Sequence, residues 1–252
     1  MFNKKKKVKS KKITFTASSQ VINDTFDFPK PSTSHVAQWY RDQKLFSNKT
    51  NNFTEAYNSG DYFGTYKLCV PLVDTITSGY IISLDSDIIV SNIAPNSQGY
   101  IPEITWMSLS QPLDNPDGKR IKSVGNYPIP TGHSPVLFRW GCKWKITTPK
   151  GYSLWVTHPS HRHDLPFFTI NGFVDTDKHE NQLNFPFFVK KGFEGIIEKG
   201  TPIAQIIPIK RDNWESIKGE YIEQEVQNSF YKLKQYVVRS YKKQWWTRKV
   251  YQ

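Results

Sequence analysis

Between residues 77 and 211 the apolar positions come in short runs, among them YIISLDSDIIV (80–90), KWKITTP (143–149), GYSLWV (151–156) and PIAQIIPI (202–209). Each run is rich in β-branched and aromatic residues and partly alternates with polar ones. The 16 Pro and 14 Gly of the chain punctuate the sequence around them. Short, partly alternating runs bounded by turn residues predict strands, and so a mainly β centre. Residues 28–60 mix Pro, Ser and Asn around one short helical piece near Val36–Lys44 and read as an irregular wrapping segment. After Pro208 the period changes. Trp214, Ile217, Tyr221, Ile222, Val226, Phe230, Leu233, Val237 and Tyr241 follow at gaps of mostly three and four, which predicts one face of a helix of about seven turns. Asp212 is its expected N-cap, with Glu215 completing a capping box. Acids gather toward the start of this segment and bases toward its end, the order a helix dipole favours.

Charge sharpens this division. The 252 residues carry 34 Lys+Arg against 22 Asp+Glu, a net +12. Residues 1–12 hold seven Lys and residues 228–252 seven Lys or Arg, with no acid in either stretch, so 13–227 carries −2. The basic character belongs to the termini. A lysine run of this kind repels itself and is expected to be a flexible arm. With Lys4, Lys5, Lys6 and Lys7 at one end and Lys242, Lys243, Trp245, Trp246, Arg248 and Lys249 at the other, the termini are candidates to contact nucleic acid or an acidic protein surface. The tryptophans have a second reading, docking onto the body or a neighbouring subunit. The expected organisation is a basic arm (1–12), an irregular wrapping segment (13–64), a β core (65–211) and a C-terminal helix with a basic aromatic end (212–252).

Cys69 and Cys142 lie in apolar or aromatic surroundings without C-x-x-C spacing and are expected to be reduced and buried. No apolar stretch approaches 18 residues, and no apolar run follows the basic N-terminus, so neither a transmembrane segment nor a signal peptide is expected. Walker, G-x-G-x-x-G, G-x-S-x-G and H-E-x-x-H patterns are absent from the sequence.

From Thr147 the chain reads TPKGYSLWV, then GFVDTD (172–177), NFPFFV and IEKGTPIAQIIPIKR (197–211), with TSGYIISLDSDIIV (77–90) ahead of them. This order resembles the dUTPase and dCTP deaminase superfamily. The resemblance implies a dUTPase-like β-clip core, a homotrimer with sites built between subunits, and a general-base role for Asp175. It also shows where those chemistries are lost. Lys178 stands where an aromatic would stack on uracil, Pro159 where an arginine would bind phosphate, and Ile81 where the first motif has an Asp. Ser160 is kept, His161 replaces a Gly, and the strand from Asn181 lacks the deaminase glutamate. A wider set of blocks, including LCVPLVDTITSGYIIS, DLPF, VDTDKHE and KGTPIAQIIPIKRDNW, is similar to tailed-phage proteins of marine and cyanobacterial type, a family that brings no established function.

Two functional readings follow. The first is a non-enzymatic phage assembly, virion or host-interaction protein, found in the cytoplasm of an infected cell or in the virion, with no cofactor. The alternative is a nucleotide-handling enzyme, a dNTP hydrolase or deaminase using Mg²⁺, or a nucleotide-binding regulator. In it Asp175 positions water while Ser160 and Lys178 meet phosphate. His161 and His163 share a face if their segment is extended and are the best metal candidates, although no standard zinc spacing is met.

Overall fold

The computed structural model describes residues 10–47, 49–60, 63–96, 99–106, 126–236 and 239–252, leaving aside the side chains of 93–106. Lys4, Lys5, Lys6 and Lys7 lie outside the described residues. The chain divides into two units. The first holds residues up to Pro29 with Ile81–Pro159 and His163–Arg211; the second holds Lys30–Tyr80, Ser160–Arg162 and Asp212–Gln252.

Strand β1 (Thr14–Ala17) opens the first unit, followed by α1 (Gln20–Thr25), whose start is capped by the Ser19 hydroxyl accepting from the Ile22 N–H. The second unit then takes β2 (Lys30–Pro31), α2 (Gln38–Asp42), α3 (Phe53–Asn58) and α4 (Val70–Thr77). Asn52 caps α3 through its side-chain oxygen, so the expected wrapping segment contains short, locally capped helices. After β3 (Tyr80–Ser83), strands β4 (Ile88–Asn96), β5 (Gly99–Trp106), β6 (His133–Gly141), β7 (Trp144–Thr147), β8 (Tyr152–Thr157), β9 (Phe167–Thr169), β10 (Gly172–Val174), β11 (Asn184–Lys190), β12 (Gly195–Ile197) and β13 (Pro202–Lys210) build the mainly β first unit. Within it the strand orders are β1-β7, β10-β8-β13-β3, β6-β11-β9 and β12-β4-β5. Helices α5 (Glu223–Lys234) and α6 (Ser240–Gln244) close the second unit.

The aromatic runs fill the core of the first unit. Pairing of β6 with β11 sets Trp140 opposite Phe185 and Phe138 opposite Phe187. Trp140 stacks on Phe187 with ring centroids 3.6 Å apart and meets Phe167 edge-on at 5.0 Å. Ile88, Ile146, Leu154 and Ile206 are also fully buried. Leu154 and Val156 are the buried apolar positions of β8, with half-buried Trp155 between them, the period-two pattern of a strand with one core face.

Two expectations fail here. The C-terminal segment is not one helix from Asp212: residues 212–222 are not helical, and α5 starts after Ile222, which offers no side-chain cap. Gly219 costs about 1 kcal/mol relative to Ala in a helix. The apolar residues around it are barely buried, with Trp214 89% and Ile217 82% exposed, so packing does not offset that cost. Cys69, expected in the core, is exposed as the residue preceding α4. Cys142 is buried as expected, and burial pushes its thiol up to about 12.

Candidate functional site

Register determines which polar residues meet. Strand β8 pairs with β13 so that Tyr152 faces Lys210, and with β10 so that Leu154 faces Val174. Both partners run antiparallel to β8, so Asp175, Thr176, Asp177 and Arg211 converge on the loop that opens it, Pro149–Lys150–Gly151. Gly151 turns there with φ +83°, a left-handed conformation that glycine adopts without strain. Its N–H donates to Asp177 Oδ2 at 2.8 Å, and its carbonyl accepts from the Arg211 N–H at 2.8 Å.

Arg211 links the whole cluster. Its Nη2 is paired closely with Asp177 Oδ2. Its Nη1 lies 3.1 Å from Asp175 Oδ1 and donates to the Tyr152 carbonyl and to Ser153 Oγ, each at 3.0 Å. The Ser153 hydroxyl donates to Asp175 Oδ1 at 2.7 Å. Beneath, the Thr148 and Thr176 hydroxyls are 2.7 Å apart, while the Lys178 and His179 N–H groups both donate to the Asp175 carbonyl at 2.9 Å.

The two carboxylates differ in setting. Asp175 is half exposed, whereas the Asp177 side chain is 3% exposed, and its Oδ1 is buried without a hydrogen-bond partner. The Ser153 hydrogen bond, then Arg211 and Lys178, hold the Asp175 carboxyl below its ordinary range. Arg211 and the Gly151 N–H hold Asp177 down to about 2. Groups tuned this way are poor bases near neutral pH, because proton-transfer driving force falls with pKa. The arrangement is well made for closing a turn over the start of β8.

Of the residues expected to handle a nucleotide, Asp175 and Lys178 share this turn, whereas Ser160 belongs to the other unit. The histidine pair is likewise divided. His161 sits at a left-handed turn with its Nε2 3.2 Å from Thr75 Oγ1, in the second unit; His163 belongs to the first, and its carbonyl accepts from Lys190 Nζ. Among the described residues, no three His, Cys, Asp or Glu side chains gather as a metal site. Arg211 was missed at the sequence level. It follows the IAQII strand directly, and only the β8–β13 register places it beside Asp175.

The basic aromatic end behaves differently from the cluster. Trp246 donates its indole N–H to Asp74 of α4, at 2.9 Å to Oδ2 and 3.1 Å to Oδ1, and Lys249 Nζ reaches Asp74 Oδ2 at 2.6 Å. The Tyr80 hydroxyl donates to the Gln252 carbonyl at 3.1 Å, with the Tyr251 ring edge-on to Tyr80. Lys242 lies over the Trp246 ring at 5.3 Å and Lys243 over Tyr236 at 4.1 Å. Trp245, Lys242, Lys243 and Arg248 are exposed. The segment thus docks through Trp246 and Lys249 and presents the others to solvent.

Comparison with protein-family models, with curated proteins and with solved structures finds no match. Among the described residues, no helix is long and apolar enough to cross a membrane.

Proposed function

We propose that the chain is a non-enzymatic assembly or interaction protein of tailed-phage type, whose C-terminal segment is its binding element and whose basic termini meet a polyanionic surface. The observation that carries this reading is the exposure of eight large apolar side chains from Trp214 to Leu233, none of them buried, in a chain whose first unit buries a dense aromatic core. A concentration of exposed apolar side chains of this kind marks an interaction site. The closed ionic cluster around Arg211 supports the non-enzymatic side, since it holds both Asp175 and Asp177 in ionised form and spends them on a turn. The resemblance to phage proteins supplies the assembly context.

The test is incubation of the purified protein with each dNTP, dUTP included, and Mg²⁺, read for pyrophosphate, ammonia and melting temperature. No product and no ligand-dependent rise in melting temperature are expected. Product that disappears in Asp175→Asn, with the fold intact, overturns the reading in favour of a nucleotide-handling enzyme.

A further inference from the structure

On a helix of 3.6 residues per turn, Ile222, Val226, Phe230 and Leu233 fall within an arc of about 80°. They are between 45% and 54% exposed, so α5 turns a narrow apolar stripe toward solvent. Glu223 and Lys234 fall on one flank of that stripe, within about 20° of each other, and Glu225 and Lys232 on the other flank, equally close. All four are exposed. Both acid–base pairs are centred on the same point, between Asn228 and Ser229, with the acids in the first turn and the bases in the last.

We propose that a second copy of this chain covers the stripe, with the two α5 helices antiparallel about a two-fold axis near Asn228 and Ser229; this rests on the assembly reading above. A two-fold axis perpendicular to the helix pair keeps each flank on its own side while reversing direction. Glu223 of one copy then lies beside Lys234 of the other, and Glu225 beside Lys232, giving four opposite-charge pairs around an apolar seam. A parallel pair would cross the flanks at equal height, setting Glu223 beside Glu225 and Lys232 beside Lys234. The charge pattern therefore favours one orientation and opposes the other. Within the single chain Lys234 Nζ already lies 4.2 Å from the centroid of the Phe230 ring, at the rim of the stripe where the partner's Glu223 would meet it. At the far end α6 folds back so that Ser240 Oγ donates to the Lys232 carbonyl at 3.0 Å. That contact engages the end of α5 through a main-chain group.

Sedimentation equilibrium on the full chain tests the pairing, with circular dichroism reporting helix content. The parent self-associates. The triple change Val226→Ser, Phe230→Ser, Leu233→Ser weakens association by about tenfold or more. Glu223→Lys with Glu225→Lys, and separately Lys232→Glu with Lys234→Glu, each weaken it by about tenfold and make it salt-sensitive in the opposite sense. All four charge changes in one chain restore it to within about threefold, since an antiparallel pair keeps its complementarity when both ends are exchanged. Should the serine changes also lower helix content, the charge set decides. Association that ignores every charge change, or that the four-fold exchange fails to restore, overturns the antiparallel pairing. A monomeric parent overturns it too. In each case the assembly reading fails separately, through pyrophosphate or ammonia release from a dNTP.

Discussion

At Thr169 one buried residue joins three parts of the core, two of them through its hydroxyl. It donates to the Ile203 carbonyl at 2.6 Å and accepts from the Trp140 indole at 3.2 Å, while the Thr169 N–H donates to His158 Nδ1 at 3.3 Å. Thr169→Val keeps the shape and removes the oxygen, which strands the indole N–H and the carbonyl in a dry interior. A loss of about 1–3 kcal/mol is expected, measured by denaturant unfolding. Asp177 makes a different prediction because its effect depends on pH. Its carboxyl is held at about 2 in the folded chain against an ordinary 3.8, so the unfolded chain takes up the proton first. The stabilisation is complete above 3.8 and fades as pH falls from there through about 2. Asp177→Asn is expected to lower the melting temperature at neutral pH and to flatten its fall across that window, which an acid titration of thermal unfolding reads directly. The GFVDTD spacing suits a turn in which Asp175 and Asp177 bond the local backbone. That spacing gave no sign of Arg211, because the contact joins residues 34 or more positions apart in the chain and depends on strand register.

The elements divide by what stabilises them. Strands such as β8 and β13 were legible because alternation and β-branched content reflect burial on the core face, and their packing supplies that burial. The C-terminal helix was legible only in part. Periodicity indicates which residues would share a face if a helix forms, not whether anything covers that face, and at 212–222 the single chain provides no cover. Short helices such as α1 and α3 escaped because a capping side chain fixes them locally and they are too short for a periodic signal. The closing segment was ambiguous between stacking on a ligand and docking, and Asp74 of α4 holds it through Trp246 and Lys249. Removing that acceptor should release the segment. Asp74→Ala is expected to speed tryptic cleavage after Arg248 and Lys249 by about threefold or more, with the β unit unaffected, because local opening sets the rate at such sites. Unchanged cleavage would mean that the remaining contacts, Tyr80 with Tyr251 and Gln252, are sufficient by themselves.

For the whole molecule, charge placement leads to a prediction that no single contact provides. Residues 13–227 carry −2, so the net +12 comes from the two ends of the chain, and these are the segments that draw a polyanion. The segments are not equivalent. Lys249 is paired with Asp74, Lys234 lies over Phe230 and Lys243 over Tyr236, so part of the C-terminal charge is engaged within the chain. The seven lysines of residues 1–12 have no neighbouring acid in sequence. Each phosphate neutralised on duplex DNA adds about 0.9 to the slope of log affinity against log salt. Deleting residues 2–12 should therefore lower that slope by as much as about 6 if every lysine engages. Lys242→Ala with Lys243→Ala and Arg248→Ala should lower it by about 3 at most. Filter binding to a random duplex between low and physiological salt measures both. A slope that the deletion leaves unchanged removes nucleic acid as the partner of the arm. Retention of the arm-dependent contact on polyglutamate, but not on DNA, assigns it to an acidic protein surface, where charge spacing along a chain replaces the regular phosphate lattice.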